Sequence, residues 1–212
     1  HKLENERFNS RLHIVRSDSG LMGVERAMAS PVYTLLSGPA GGVAGAAHLS
    51  GLAGYPNALG FDMGGTSTDV SLIQDGEPTS SRQTSLGSYP VKIPSVEVHS
   101  VGAGGGSIAH VPMTGAIRVG PESAGAAPGP ACYGKGGTAA TVTDANVVLG
   151  RLPESLLGGR MPLDTKAAED VVGALGRPLN LGLYETAQGI IDIVNENMFG
   201  ALRLTTVQRG LD

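Results

Sequence analysis

Leu59-Gly60-Phe61-Asp62-Met63-Gly64-Gly65-Thr66-Ser67-Thr68-Asp69-Val70-Ser71-Leu72-Ile73 reads as a strand, a tight Gly-Gly turn carrying an acid, and a second strand. Ala58, Leu59 and Phe61 lead into the turn, and Val70, Leu72 and Ile73 lead out of it. Gly64 and Gly65 put no side chain over the backbone, so the N–H groups of such a bend can surround an anion. The segment is expected to cradle phosphate, with Gly64, Gly65 and Thr66 binding through backbone amides. An ordinary Gly-Gly hairpin with polar flanks is the competing reading.

Oxygens cluster on this segment. Asp62, Thr66, Thr68 and Asp69 place carboxylate and hydroxyl groups within a few residues of the turn. A hard cation that keeps most of its water binds one or two carboxylates together with nucleotide phosphates. The pattern therefore predicts a nucleoside triphosphate with Mg2+, Asp62 being the residue closest in role to the metal.

The chain has 212 residues, enough for one large domain or a lobe with a substantial core. It contains 33 Gly and no Trp, and aromatic residues make up 4 %. These glycines are concentrated between apolar stretches, which predicts shaped loops rather than disorder. A formal charge of −4 and the lack of a basic stripe argue against nucleic-acid binding. Cys132 is the sole cysteine, so no internal disulfide can form, and a reducing, cytoplasmic setting is expected. A lone cysteine is more often a buried, inert thiol than a nucleophile. No apolar run has the length of a bilayer span.

Residues 1–7 look like the end of a helix. Leu12, Ile14 and Val15 suggest a strand ending in a turn at 17–20, and 24–29 a short helix stopped by Pro31. Residues 32–36 read as a strand running into Ser37-Gly38-Pro39-Ala40-Gly41-Gly42, with a helix from Val43. A strand, glycine loop and helix start in that order would bind an anion through Ser37, Gly38, Gly41 and Gly42. Close helix packing is an equal reading of the same small residues.

Residues 91–101 are expected as one strand leading to Gly102-Ala103-Gly104-Gly105-Gly106-Ser107. No helix follows at the dinucleotide-binding spacing, so Gly104, Gly105, Gly106 and Ser107 form a loop of close approach to a ligand. Short strands are expected at 108–111 and 116–119. Residues 121–138 are too rich in Gly and Pro for regular structure. Within them Gly129-Pro130-Ala131-Cys132-Tyr133-Gly134-Lys135 fails as a P-loop because Gly136 replaces Ser or Thr. His99 and His110 lack metal-motif spacing.

Thr143-Asp144 precedes a helix at 145–149, where Asp144 either caps the helix or serves a site. Asp164 caps a helix running to about Leu175. Leu183, Ala187, Ile190, Ile191, Val194, Met198, Ala201 and Leu202 trace one face of a helix over 183–207.

Taken together, several segments resemble the hydantoinase A, 5-oxoprolinase and acetone carboxylase family. They are Leu35-Leu36-Ser37-Gly38-Pro39-Ala40-Gly41-Gly42, Phe61-Asp62-Met63-Gly64-Gly65-Thr66-Ser67-Thr68-Asp69-Val70, Val101-Gly102-Ala103-Gly104-Gly105-Gly106-Ser107-Ile108-Ala109, and Arg118-Val119-Gly120-Pro121-Glu122-Ser123-Ala124-Gly125. The run from Gly129 through Thr143-Asp144-Ala145-Asn146, and Arg209-Gly210-Leu211-Asp212, continue the likeness.

The resemblance implies an α/β fold: one lobe of an actin-like ATPase, a mixed sheet with flanking helices. Residues 1–212 would be the central domain, the second lobe truncated at both ends. It also implies an ATP-dependent enzyme that phosphorylates the carbonyl oxygen of a cyclic amide or ketone, permitting ring opening or carboxylation. Asp62 would orient the metal's water or a nucleophile, Thr68 and Asp69 would support the turn, and residues 37–42 would buttress the glycine loop. A B-type subunit or domain is the implied partner, and the isolated chain is expected to be inactive. A non-catalytic nucleotide-binding or assembly module is the alternative.

Overall fold

The computed structural model describes residues 12–86, 89–113 and 115–211. The reading of residues 1–7 as a helix end lies outside the described residues. Two compact units divide the chain. One holds the described residues up to Gly60 together with Ser71–Val98, and the other holds Phe61–Val70 together with the described residues from His99 onward.

In the first unit, β1 (His13–Val15) and β2 (Leu21–Gly23) pair antiparallel with Ile14 opposite Met22. The turn between them is closed by Asp18, whose carboxylate accepts from the Gly20 amide at 3.1 Å and from Arg16 Nη2 at 2.6 Å. Helix α1 (Val24–Ala29) follows as expected and ends before Pro31.

Residues 32–36 correct the sequence reading. Pro31–Thr34 is a 3-10 turn rather than a strand, and α2 (Ser37–Leu52) begins six residues earlier than expected, so no strand leads into a glycine loop. Pro31 presets a helical φ at the first position of the turn. The buried Ser17 hydroxyl then fixes the bend by donating to the Tyr33 carbonyl at 2.9 Å and accepting from the Leu36 amide at 3.2 Å. Ala40 and Val43 on α2 form a small core with Val96, against which Val15 and Val98 pack.

Strands β3 (Ala58–Met63) and β4 (Thr68–Gln74) form the expected hairpin around the Gly-Gly turn. With β5 (Val98–Val101) they lie in one sheet in the order β5-β4-β3. The single strand expected over 91–101 is broken into short pieces, Ser95–Val96 pairing separately with Ser80–Ser81. Pro94 supplies no backbone donor at that point, which interrupts a continuous ladder.

In the second unit, β6 (Ser107–His110) pairs antiparallel with β7 (Arg118–Ser123), Ala109 facing Val119. Strand β7 extends to Ser123, into the stretch expected to be irregular, and Ala131–Tyr133 makes a 3-10 turn.

Three helices complete this unit: α3 (Val142–Val148), α4 (Thr165–Gly176) and α5 (Leu183–Thr205). Asp164 caps α4 as expected, accepting from the Ala167 amide at 2.9 Å. The apolar face of α5 is buried through Ala187, Ile190, Ile191, Val194, Met198 and Ala201. It packs with Val142, Ala145 and Val148 of α3 and Ala168 and Val172 of α4. Each fully buried Ile or Val contributes about 1.5–3 kcal/mol relative to exposure, so this stripe sets the unit's core. Asn197 Nδ2 donates to the Val119 carbonyl at 3.2 Å, tying α5 to β7. Among the described residues no helix is long and apolar enough to cross a membrane.

Candidate nucleotide-phosphate hairpin

The turn between β3 and β4 is closed by the Gly64 amide donating to the Ser67 carbonyl at 2.9 Å. Its tip is open to solvent: Asp62, Gly64, Gly65 and Thr66 are exposed. The loop carrying Gly104, Gly105 and Gly106 lies against it. The Gly105 amide donates to the Gly64 carbonyl at 3.0 Å, and the Gly106 amide to the Gly65 carbonyl at 2.6 Å.

These two bonds fix the orientation of the tip. In a trans peptide the carbonyl and the following N–H point in opposite directions. With the carbonyls of Gly64 and Gly65 turned onto the glycine loop, the amides of Gly65 and Thr66 are turned away from it. Among the described residues the amides of Gly65, Thr66 and Ser67 meet no protein acceptor. The two amides turned away from the loop, those of Gly65 and Thr66, stand at an exposed bend and make a positively polarised patch suited to an anion.

Only glycine permits this fit. A Cβ on Gly104 would stand 2.7 Å from both the N and the C of Thr66, and one on Gly106 would stand 2.9 Å from the Gly65 carbonyl oxygen. The loop makes a close approach to the hairpin. The Gly104 amide donates to Ser107 Oγ at 2.8 Å, the Ser107 amide to the Gly104 carbonyl at 3.0 Å, and Ser107 is buried. The four amides of Gly104, Gly105, Gly106 and Ser107 are thus spent inside the protein. In this structure the loop holds the hairpin from behind.

Two further expected site residues are partnered within the protein. Thr68 is fully buried, its hydroxyl donating to the Ala103 carbonyl at 2.5 Å and lying 3.4 Å from the Met198 sulfur. Asp69 accepts a short hydrogen bond from the Ser100 hydroxyl on the neighbouring strand. Both support the turn rather than reaching a ligand at its tip. Asp62 differs from them: its carboxylate is exposed and has no hydrogen-bond or ion-pair partner among the described residues. It is available to a ligand.

Ser37, Gly38, Gly41 and Gly42 lie in the first two turns of α2, in the other unit. Gly41 and Gly42 are inside the helical run, so only Ser37 and Gly38 keep free amides ahead of Pro39. A Cβ on Gly38 or Gly41 would meet nothing within 4 Å, so close packing does not account for these glycines.

Two residues that the sequence reading did not assign to the site belong to it. The amide and hydroxyl of Thr143 both donate to the Gly105 carbonyl, each at 2.8 Å. Ser123 Oγ lies 3.4 Å from Thr66 Oγ1 and 3.5 Å from the Gly65 carbonyl, while the Ala124 amide donates to the Gly106 carbonyl at 2.8 Å. Thr143 is 38 positions from Gly105, and no local pattern signals such a contact.

Asp144 resolves to a structural role. Helix α3 starts at Val142, with Thr141 as its N-cap and Asp144 completing a capping box. The buried carboxylate of Asp144 also accepts from the amides of Cys132 at 2.8 Å and Ala131 at 3.3 Å, and from the Thr141 hydroxyl at 2.7 Å. This anchors the Gly/Pro-rich loop. Burial, and then the Asp144 carboxylate, push the Cys132 thiol well above its ordinary value, which keeps it protonated. Among the described residues no three His, Cys, Asp or Glu side chains gather into a metal-binding group.

Residues 1–212 match the hydantoinase/oxoprolinase family model. The chain belongs to the hydantoinase/oxoprolinase family. Relatives in this family include the caprolactamase subunit alpha of Pseudomonas jessenii, 42% identical over 183 residues, 85% of this chain and 26% of that protein. The 5-oxoprolinase PfmaA of Pestalotiopsis fici is 42% identical over 217 residues, 94% of this chain and 16% of that protein. A nucleotide-free structure of acetone carboxylase, described for ATP-dependent acetone carboxylation, superposes with a TM-score of 0.88 at 32% identity. That superposition covers 99% of this chain and 30% of the acetone carboxylase chain. The chain spans about a third or less of the length of the relatives it matches.

Proposed function

We propose that this chain supplies one phosphate-binding lobe of an ATP-dependent enzyme acting on the carbonyl group of a cyclic amide or ketone. The observation that carries the reading is the pair of outward amides on Gly65 and Thr66, in the same hairpin as the exposed carboxylate of Asp62, which has no partner among the described residues. Backbone N–H groups at a bare turn are strong donors to phosphate oxygens, and a hydrated divalent cation needs few protein carboxylates. Asp62 is the residue that would meet Mg2+ through its water shell, a donor set that fits this metal. ATP, when bound, would supply a phosphoryl group able to turn the oxygen of an unreactive carbonyl into a leaving group. Phosphoryl transfer depends mainly on positioning and charge neutralisation, the two things an amide-lined turn and a single carboxylate contribute.

Likeness to enzymes named for caprolactam, 5-oxoproline and acetone supports a cyclic amide or ketone as substrate. It disfavours the alternative of a non-catalytic module. We assign residues 1–212 to one lobe of an actin-like ATPase. A B-type subunit or domain is the proposed partner, consistent with the naming of the caprolactamase relative as a subunit. A cytoplasmic setting belongs to the same reading.

The test is nucleotide-dependent turnover of a cyclic amide by the full-length protein, with Asp62→Ala as the variant. Turnover is expected to fall at least a hundredfold while the melting temperature stays within about 2 °C, because Asp62 holds nothing in the fold. Unchanged turnover removes Asp62 from the chemistry.

A further inference from the structure

We propose that Thr143 is a positioning residue for phosphate binding: by fixing the Gly105 carbonyl it sets the direction of the Thr66 amide at the hairpin tip. This rests on the hairpin being the phosphate site.

The geometry forms a short chain of bonds within one unit. Thr143 is 8% exposed and stands in the first turn of α3, next to Asp144, which is buried and bonded at both carboxylate oxygens. That turn is rigid. From it the Thr143 amide and hydroxyl both reach the Gly105 carbonyl at 2.8 Å. Two donors converging on one oxygen restrict rotation of the Gly105–Gly106 peptide, whose N–H is that of Gly106. The Gly106 amide is therefore aimed at the Gly65 carbonyl, which it meets at 2.6 Å. The Gly65 carbonyl in turn faces the Thr66 amide outward, since the two belong to one trans peptide.

A glycine loop has little conformational preference of its own. The three glycines allow the close approach, but they do not choose the peptide orientation. Thr143 does. A Cβ on Gly105 would come 2.9 Å from Thr143 Oγ1, so the hydroxyl also occupies the space over that glycine.

The experiment uses the full-length protein, with kcat and the KM for ATP measured at least 20 °C below the melting temperature. Thr143→Val keeps the shape and the amide bond but loses the hydroxyl bond. Thr143→Ser keeps the hydroxyl. Misaligned donors to a developing phosphate charge cost rate more than ground-state affinity. The expected result is at least a tenfold loss of kcat in Thr143→Val, a smaller change in KM, and recovery to within about threefold of the parent in Thr143→Ser.

A valine variant within twofold of the parent overturns the proposal, as does a serine variant as impaired as valine. Should the valine protein not fold, Thr143→Cys, close in size to serine and a weaker donor, carries the same comparison against Thr143→Ser. Gly104→Ala, whose added methyl would stand 2.7 Å from the Thr66 backbone, distinguishes failure of the hairpin reading from failure of the role of Thr143. If that variant binds a non-hydrolysable ATP analogue at the parental affinity, the hairpin reading itself fails. If it loses binding while Thr143→Val remains at the parental rate, only the role of Thr143 fails.

Discussion

The α-carbon of Gly104 sits so close to Thr66 that a methyl group on it would lie 2.7 Å from both the nitrogen and the carbonyl carbon of that residue. Thr66 occupies the exposed end of the β3–β4 hairpin, so the glycine loop acts as a rigid backing for the turn. Backbone cannot move aside as the end of a flexible side chain can. Gly104→Ala is therefore expected to displace the hairpin tip and weaken nucleotide binding by the full-length protein at least tenfold, read by calorimetric titration with a non-hydrolysable ATP analogue. Binding at the parental affinity would mean that the tip does not contact the nucleotide.

Not every glycine carries such a constraint. Gly45 lies inside α2 and a Cβ there would meet nothing within 4 Å. Gly45→Ala should stabilise the chain by up to about 1 kcal/mol through helix propensity. Urea denaturation measures it, and a loss of stability would place another surface against that face of α2.

Asp144 is the acceptor for two loop amides, its own helix cap and the Thr141 hydroxyl. Each buried donor left without a partner costs about 1–3 kcal/mol. Asp144→Ala should destabilise the chain by roughly 3 kcal/mol or more, and Asp144→Asn, which keeps one acceptor oxygen, by less. Chemical denaturation with fluorescence or circular dichroism detection gives both values.

The thiol of Cys132 is held protonated by burial and by Asp144, its pKa raised above that of the unfolded chain. The contribution of this group to stability is complete below the unfolded value near 9.0 and is lost as pH rises beyond it. Stability should then fall with a slope approaching about 1.4 kcal/mol per pH unit, a component absent from Cys132→Ala. Denaturation midpoints of the two proteins between pH 8 and 10.5 test this. Parallel curves would contradict it.

Much of the architecture was legible in local sequence. The apolar repeat of α5 fixed its buried face because side chains three and four apart share one side of a helix, and Asp164 marked the start of α4 through its side-chain oxygen. The hairpin could be read from Gly64 and Gly65 between two apolar runs. Residues 32–36 became a 3-10 turn under Pro31 and the hydroxyl of Ser17, a residue distant in the chain, while Pro94, a local signal inside the expected strand, divided it.

The candidate site divides in the same way. Sequence by itself determined that a bare turn with an adjacent acid lies at 62–66, because turn chemistry and side-chain type are properties of neighbouring residues. Only the tertiary structure decided which backbone groups face outward. Gly104–Ser107 lost their donors to the hairpin and to one another, Thr68 went into the core, and Asp69 was taken up by Ser100, while Thr143 entered the site from α3. A hydrogen bond has one donor direction and one acceptor, so the free donors at the turn are whichever ones the packed neighbours leave unused.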